Sequence, residues 1–242
     1  MADLPEDVAA RLRRQVVASY ETPQSVAFYS QAASSGLKIW EKTVVDRLFA
    51  AGTSTRTILV VGCGGGREIF GLEDLGFDVS GVDVSAALIA EAHNEASRRE
   101  SRAVIVLGDG AHFPFADGAF DAVVIWSQVL GHVPLSSGRA AFLAEARRVV
   151  RSGGAMSLSA HDQALTMPLL DPARIVSRDY PELGDLVIDD SREAAVRYFR
   201  YFEEADLRGL CEGAGFAVEA VVHTDDLGEA WGNVFVVMAR AV

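Results

Sequence analysis

Only two of the 242 residues are cysteines, Cys63 and Cys211, and they stand in unlike surroundings. That excludes a disulfide framework and a cysteine-based metal module, which need several cysteines at short fixed spacings. No H-E-x-x-H, C-x-x-C or G-x-S-x-G pattern occurs, so the zinc-hydrolase, dithiol and nucleophile-elbow readings fall away and no metal is expected. Basic residues are scarce: 22 Lys and Arg stand against 34 Asp and Glu, a formal net charge of -12. A nucleic-acid backbone demands clustered positive charge, so nucleic acid is not an expected partner. The pairs Arg13-Arg14, Arg98-Arg99 and Arg147-Arg148 read as solvated helix faces. No apolar run approaches the roughly 20 residues that cross a bilayer. The first residues, Met1 to Asp7, are acidic, unlike the basic-then-apolar order of a secretory signal. The expectation is a soluble cytoplasmic protein, a monomer or homodimer, without a membrane partner.

Apolar residues, by contrast, are plentiful, at 50% of the chain. The length suits one α/β domain with some decoration. Its organising stretch is Thr57-Ile58-Leu59-Val60-Val61-Gly62-Cys63-Gly64-Gly65-Gly66-Arg67-Glu68. The apolar part is continuous rather than alternating, as in a parallel strand buried on both faces. Gly62, Gly64 and Gly66 allow a sharp turn and let a ligand lie against the main chain. The helix that follows offers unpaired N–H groups and the positive end of its dipole. Where a dinucleotide fingerprint has its last glycine, this chain has Arg67. Asp83 closes the next apolar segment about 20 residues on, where a carboxylate can hold two ribose hydroxyls.

The remaining chain alternates strands and helices. The first 50 or so residues read as helical, from Val8, Leu12, Val16 and Tyr20 and from Leu37, Trp40, Val44 and Leu48. After the glycine turn come a helix from Gly66 to Leu75 and another N-capped by Ser85. Strands follow at Arg102–Leu107 and Asp121–Ser127, a helix through Phe142 to Val150, and a strand at Ala155–Ala160. A last helix stops at Gly215, and strands at Phe216–His223 and Asn233–Arg240 close the chain. The long stretch from His161 to Phe202, with three X-Pro pairs and an acidic run at Asp189-Asp190, reads as an insertion over the substrate side. Alternation with short connections implies a mostly parallel sheet with helices on both faces. Gly62–Gly66, Asp83, Asp109 and Ser127-Gln128 all fall at carboxyl ends of strands, where ligands of such sheets bind.

Taken together, the glycine turn, Asp83, Val106-Leu107-Gly108-Asp109-Gly110-Ala111 and Phe120-Asp121-Ala122-Val123-Val124-Ile125-Trp126 resemble the ordered motifs of class I S-adenosylmethionine (SAM)-dependent methyltransferases. The resemblance runs from about Lys38 to the C-terminus. It implies a Rossmann-like seven-stranded sheet with an antiparallel last strand. It also implies an N-terminal helical cap (1–52) and a SAM-binding domain (53–242) with a lid-like insertion at about 162–202. The expected activity is methyl transfer to a small-molecule acceptor, on oxygen or nitrogen rather than carbon. A SAM-binding module without transfer activity and a nucleotide-dependent oxidoreductase are the alternatives. The cofactor set implied is Gly62, Cys63, Gly64, Gly66, Asp83, Val84, Asp109, Gly110, Ala111, Ser127, Gln128 and Tyr29. The glycine turn would meet the methionine end, Asp83 the ribose, and Asp109 with the backbone of Gly110 or Ala111 the adenine. The chain departs from the family at Val60, where many members place an acid near the methionine ammonium; Glu68 or the turn backbone is the substitute. His132 and His161, each just past a strand end, are the candidate general bases, since imidazole titrates near neutrality. Tyr20, Tyr29, Trp40 and Trp126 are candidates to line the acceptor pocket.

Overall fold

Three helices precede the first strand: α1 (Pro5–Tyr20), α2 (Pro23–Ala32) and α3 (Ile39–Leu48). The computed structural model describes residues 5–49, 56–108, 110–190 and 195–242. Thr22 N-caps α2 by accepting from the Ser25 N–H, with Pro23 at the first helical position. Then follow β1 (Thr57–Val61), α4 (Arg67–Glu73), β2 (Asp78–Asp83), α5 (Ala86–Arg99), β3 (Val104–Leu107), β4 (Phe120–Ile125), α6 (Ser136–Val149) and β5 (Val150–His161). Ser85 caps α5 through the Leu88 N–H, as its position in sequence suggested. The closing elements are α7 (Gln163–Thr166), β6 (Ile175–Arg178), β7 (Asp185–Asp190), β8 (Ala195–Arg200), α8 (Glu204–Gly213), β9 (Phe216–His223) and β10 (Val234–Ala241).

Seven strands form one sheet in the order β3-β2-β1-β4-β5-β10-β9. The order reverses beside β1, whose neighbours β2 and β4 both pair parallel to it. β10 runs antiparallel to β5 and β9 on either side. The continuous apolar run of β1 serves two cores: Leu59 and Val61 face one, Ile58 and Val60 the other. α6 and α8 cover the first face, through Phe142, Leu143, Ala146, Leu207 and Cys211. α3, α4 and α5 cover the second, with Trp40 and Trp126 crossing edge to face at 5.4 Å between centroids. The Trp126 indole N–H donates to Ser157 Oγ. Both tryptophans are therefore core residues and not pocket walls, which corrects the expectation for them.

The stretch between β5 and α8 is not a bare loop. β6, β7 and β8 form a separate antiparallel sheet. Its Val187 and Tyr198 pack against Val8, Leu12 and Val16 of α1, so the N-terminal helix and the insertion share a small core. The insertion is also tied to α6. Glu182 accepts from the Ser136 N–H at the start of that helix and from Arg139 at 2.7 Å. No described helix is long and apolar enough to cross a membrane.

Candidate active site

The glycine turn is held to the neighbouring strand by its own backbone and by Asp83. Gly62 N–H donates to Val82 O at 2.8 Å, and Gly64 N–H to Asp83 Oδ2 at 2.8 Å. The other Asp83 oxygen accepts from the Ser85 N–H at 2.9 Å. Burial raises the Asp83 carboxyl above its ordinary range, and the N–H groups of Ser85, Gly64 and Val84 hold the rise in check. Two glycines are needed for different reasons. At Gly65 a Cβ would lie 2.7 Å from the carbonyl of Tyr29 on α2, so helix and turn touch backbone to backbone. At Gly64 (φ +50) a Cβ would meet only Leu88, at 3.9 Å, because that face opens into a cavity.

The cavity, about 310 Å³, lies at the carboxyl ends of β1, β2 and β4 and under α1 and α2. From the residues expected at a cofactor, Gly62, Cys63, Gly64, Asp83, Val84, Gly110, Ser127 and Tyr29 line it. Asp109 lies outside the described residues. The structure puts the others elsewhere. Gly66 starts α4 with its open side against Phe70. Gln128 turns away to Ser159 Oγ. Ala111 is exposed beyond the wall. The walls also include Phe28, Leu88, Val129 and Phe142, whose apolar character gave no sign in sequence of facing a ligand.

At one end of the cavity sits an ionic cluster. Arg67 bridges Glu41, which is fully buried, and Glu68, which is 5% exposed. Burial raises the Glu41 carboxyl, and the Glu68 charge adds to the rise against the pull of Arg67. Glu68 Oε1 also accepts from Ser127 Oγ at 2.7 Å, which ties the first turn of α4 to the end of β4. Ser127 holds a left-handed conformation (φ +54) to reach it.

At the other end Tyr20 meets His132. Nδ1 of His132 lies 3.0 Å from the carbonyl of Tyr198, which can only accept, so Nδ1 carries the proton. Nε2 then accepts from the Tyr20 hydroxyl at 2.8 Å. The ring is a neutral imidazole, pushed down to about 4 chiefly by burial. The Arg197 guanidinium stacks 4.3 Å from the centre of the Tyr20 ring and donates to Ser19 Oγ. Tyr20 and His132 both line the cavity. His161 does not: it packs edge-on to Tyr201 at 5.3 Å, and burial pushes it too down to about 4. Its position at the end of β5 was read correctly, but β5 lies one strand too far from the turn.

The loop after β3 is clamped from α6. Glu145 accepts from the Phe113 N–H and pairs with His112, while Arg148 donates to the carbonyls of Phe113 and Phe115. Arg147 bonds the carbonyl of Gly215. The Arg147-Arg148 pair is therefore a loop anchor rather than a solvated face, a correction no local pattern could supply. The Arg98-Arg99 pair also divides: Arg98 is exposed beside Glu95, whereas Arg99 covers the Phe70 ring at 5.0 Å.

A sheet of this order with a glycine turn, an acid ending β2 and a cavity at the switch point defines a protein that binds a nucleoside-type ligand. Residues 59–158 match the family described as the methyltransferase domain. Over that stretch the chain is similar to the SAM-dependent methyltransferases, in keeping with the class I resemblance of its motifs. A demethylmenaquinone methyltransferase of Beutenbergia cavernae is 34% identical over 117 residues, 48% of this chain and 45% of that protein. The chain thus spans about half the length of that relative. A malonyl-[acyl-carrier protein] O-methyltransferase of Geobacter sulfurreducens is 27% identical over 84% of this chain and 71% of its own. The crystal structure of a 1,6-didemethyltoxoflavin-N1-methyltransferase of Burkholderia thailandensis, with its substrate and S-adenosylhomocysteine, shares the fold. It has a TM-score of 0.67 and 19% identity, over 100% of this chain and 92% of that one.

Proposed function

We propose that this protein transfers a methyl group from SAM to the oxygen or nitrogen of a small-molecule acceptor. The observation that supports the reading is a shared wall: one cavity carries the glycine turn and Asp83 at one side and the Tyr20–His132 pair at another. The donors and acceptors present fit SAM. The bare backbone at Gly64 leaves room for a ligand, and each Asp83 oxygen keeps capacity beyond the one N–H it accepts for a ribose hydroxyl. Asp109 is the proposed partner of the adenine amino group, beside Gly110. When bound, SAM supplies an electrophilic methyl on a sulfonium, with a neutral thioether as leaving group.

The chain's own task is then to hold the acceptor in line, exclude water and take a proton. Holding two reactants in line is worth roughly 7–11 kcal/mol in favourable cases. α1 and α2 roof the site; the insertion packs on α1 and meets His132 through the Tyr198 carbonyl, and we assign it the part of a lid whose base is fixed at α6. The Tyr20 oxygen is the group an acceptor O–H or N–H meets. As that proton arrives, Tyr20 passes its own to Nε2 of His132, which leaves an imidazolium held by Tyr198 O. A well-placed base of this kind contributes roughly a hundred- to ten-thousandfold. The names of the relatives, which include a malonyl-[acyl-carrier protein] O-methyltransferase and a ubiquinone/menaquinone biosynthesis C-methyltransferase, support a small acceptor, and the choice of oxygen or nitrogen rests on the Tyr20–His132 pair as a place for a proton. The net charge of -12 supports leaving nucleic acid aside. A cytoplasmic location, no membrane partner and a monomer or homodimer complete the proposal.

The test is to incubate the protein with methyl-labelled SAM and a small-molecule extract. Label should enter an O- or N-methylated product, more slowly with Tyr20→Phe or His132→Gln while S-adenosylhomocysteine affinity holds. A carbon-methylated product would overturn the choice of nucleophile. Binding without any transfer would favour the non-catalytic module, and NAD binding without SAM binding would favour the oxidoreductase.

A further inference from the structure

Of the 22 lysines and arginines only two are lysines, Lys38 and Lys42. Lys38 stands on the wall of the cavity, at its exposed rim. The other permanent cation of that wall, Arg67, is taken up by Glu41 and Glu68. Among the described residues no carboxylate pairs with the Lys38 ammonium, which lies instead 5.7 Å from the centre of the Trp231 ring, in the β9–β10 connection. An aromatic face holds an ammonium in place without cancelling its charge as a carboxylate would. Position decides what that charge is for. Asp83 ends β2 and the glycine turn follows β1, so the cofactor is taken on that side of β4. Lys38 leans to the other side. Trp231 leads into β10, which pairs with β5, and the ammonium is near enough to His161, at the end of β5, to disfavour charge on that ring. Nδ1 of His161 is buried there without a hydrogen bond. The sheet order β2-β1-β4-β5-β10 thus sets Lys38 away from Asp83, on the side left for the acceptor. With Asp83 and Glu68 on the wall and a net charge of -12, an anionic acceptor would be repelled from this mouth unless a cation stood at its rim.

We propose that Lys38 selects acceptors that carry an oxyanion, a carboxylate or a phosphate, apart from the atom that is methylated. The assignment rests on the methyl-transfer reading above and narrows its small-molecule acceptor to an anionic one. Lys38 draws the oxyanion to the rim and holds it between α3 and the β9–β10 connection, which leaves the nucleophile of the acceptor to reach inward to Tyr20. A lysine suits this task better than one of the many arginines of the chain. Its compact ammonium on a flexible stem can follow the anion as the acceptor seats, whereas a guanidinium forks onto a fixed geometry.

Methyl-labelled SAM and a small-molecule extract divided by anion exchange test it. Label should enter products from the bound, anionic fraction and not from the unbound one. Lys38→Met should raise the amount of the bound fraction needed for half-maximal rate about tenfold, as loss of a charged hydrogen bond implies, and leave S-adenosylhomocysteine affinity in calorimetry within about twofold. Lys38→Arg, which keeps the charge, should recover most of the loss. The Lys38 backbone N–H donates to Glu41 Oε2 at 2.7 Å and is untouched by either substitution; retained S-adenosylhomocysteine binding certifies the fold. Transfer confined to the unbound fraction, or an unchanged half-saturation in Lys38→Met, overturns the assignment. A loss of S-adenosylhomocysteine affinity of about tenfold in Lys38→Met overturns it as well, because the lysine would then hold the carboxylate of the cofactor. Wild-type protein that transfers label from neither fraction refutes the methyl-transfer reading itself, and this assignment with it.

Discussion

Lowering the pH from about 7.5 to about 5 obliges His132 and His161 to take up protons that their folded surroundings refuse. Both rings are pushed from 6.5 down to about 4 chiefly by burial; His132 keeps one backbone hydrogen bond, to Tyr198 O, and Nδ1 of His161 has none. The unfolded chain thus binds more protons than the folded one between those values. The stabilisation is fully present above about 6.5 and is lost as the pH falls toward 4. At pH 5 each ring contributes a loss of about 2 kcal/mol, and the two together about 4, a large share of the 5–15 kcal/mol typical of a domain. The carboxylates do not produce this slope. Asp121 and Glu145 are lowered to about 2 and destabilise only in stronger acid, while Asp83, Glu41 and Asp185 are raised and oppose the loss. Urea denaturation at the two pH values measures the effect. His132→Gln, which keeps an acceptor for Tyr20 but cannot titrate, should remove about half of the acid loss. A wild-type stability equal at both pH values, or an unchanged slope in His132→Gln, would refute the neutral-histidine reasoning.

Two further outcomes follow from contacts already described. Gly64→Val should abolish S-adenosylhomocysteine binding in calorimetry, because its branched side chain enters the cavity from a backbone at φ +50; unchanged affinity in a folded variant would place the cofactor elsewhere. Asp121→Ala should cost about 2–3 kcal/mol of stability in urea, since Asp121 Oδ2 receives the N–H groups of Arg56 and Thr57, and Oδ1 the Arg151 guanidinium.

The local parts of this architecture were legible because their signals are local. A continuous apolar run, a glycine turn and an acid at a strand end each describe a few adjacent residues, and the sheet built from them follows the topology that short βα connections enforce. The insertion was not legible as a sheet. Leu186-Val187-Ile188 is an ordinary strand run, but it lies among proline pairs and acids; Val187 is buried against α1, far away in sequence, and Leu186 and Ile188 against Tyr201 and neighbours within the insertion. Aromatic residues gave the same difficulty. Tyr20 and Trp40 look alike as apolar helix positions, yet Tyr20 lines the cavity and Trp40 is wholly enclosed. His132 was singled out by its place after β4 and lines the cavity, while the hydrogen on its Nδ1 is set by Tyr198, 66 residues further along the chain.

On the proposed proton path, that last contact ties the insertion to the chemistry. Two features pin it to the core: the carbonyl of Arg200 lies 2.9 Å from where a Cβ of Gly131 would be, and the Tyr198 carbonyl fixes the His132 ring. Its far side hangs on Glu182, which holds both the Ser136 N–H and Arg139. Arg139 is 2% exposed and also donates to the Tyr198 hydroxyl, so it links the anchor to the residue that sets the tautomer. Glu182→Ala should leave S-adenosylhomocysteine affinity intact, because no ligand-facing group changes, but loosen β7 and β8. Nitrogen-15 spectra of labelled histidine read the outcome directly. In wild type His132 should be a single Nδ1–H tautomer, and in Glu182→Ala the two tautomers should mix. A wild-type ring protonated on Nε2 would mean that His132 donates to Tyr20 and cannot take its proton, and the proton path through Tyr20 would be wrong. An unmixed Nδ1–H tautomer in Glu182→Ala would show instead that the ring is held locally by Tyr20 and Tyr198, with the anchor at α6 serving stability alone.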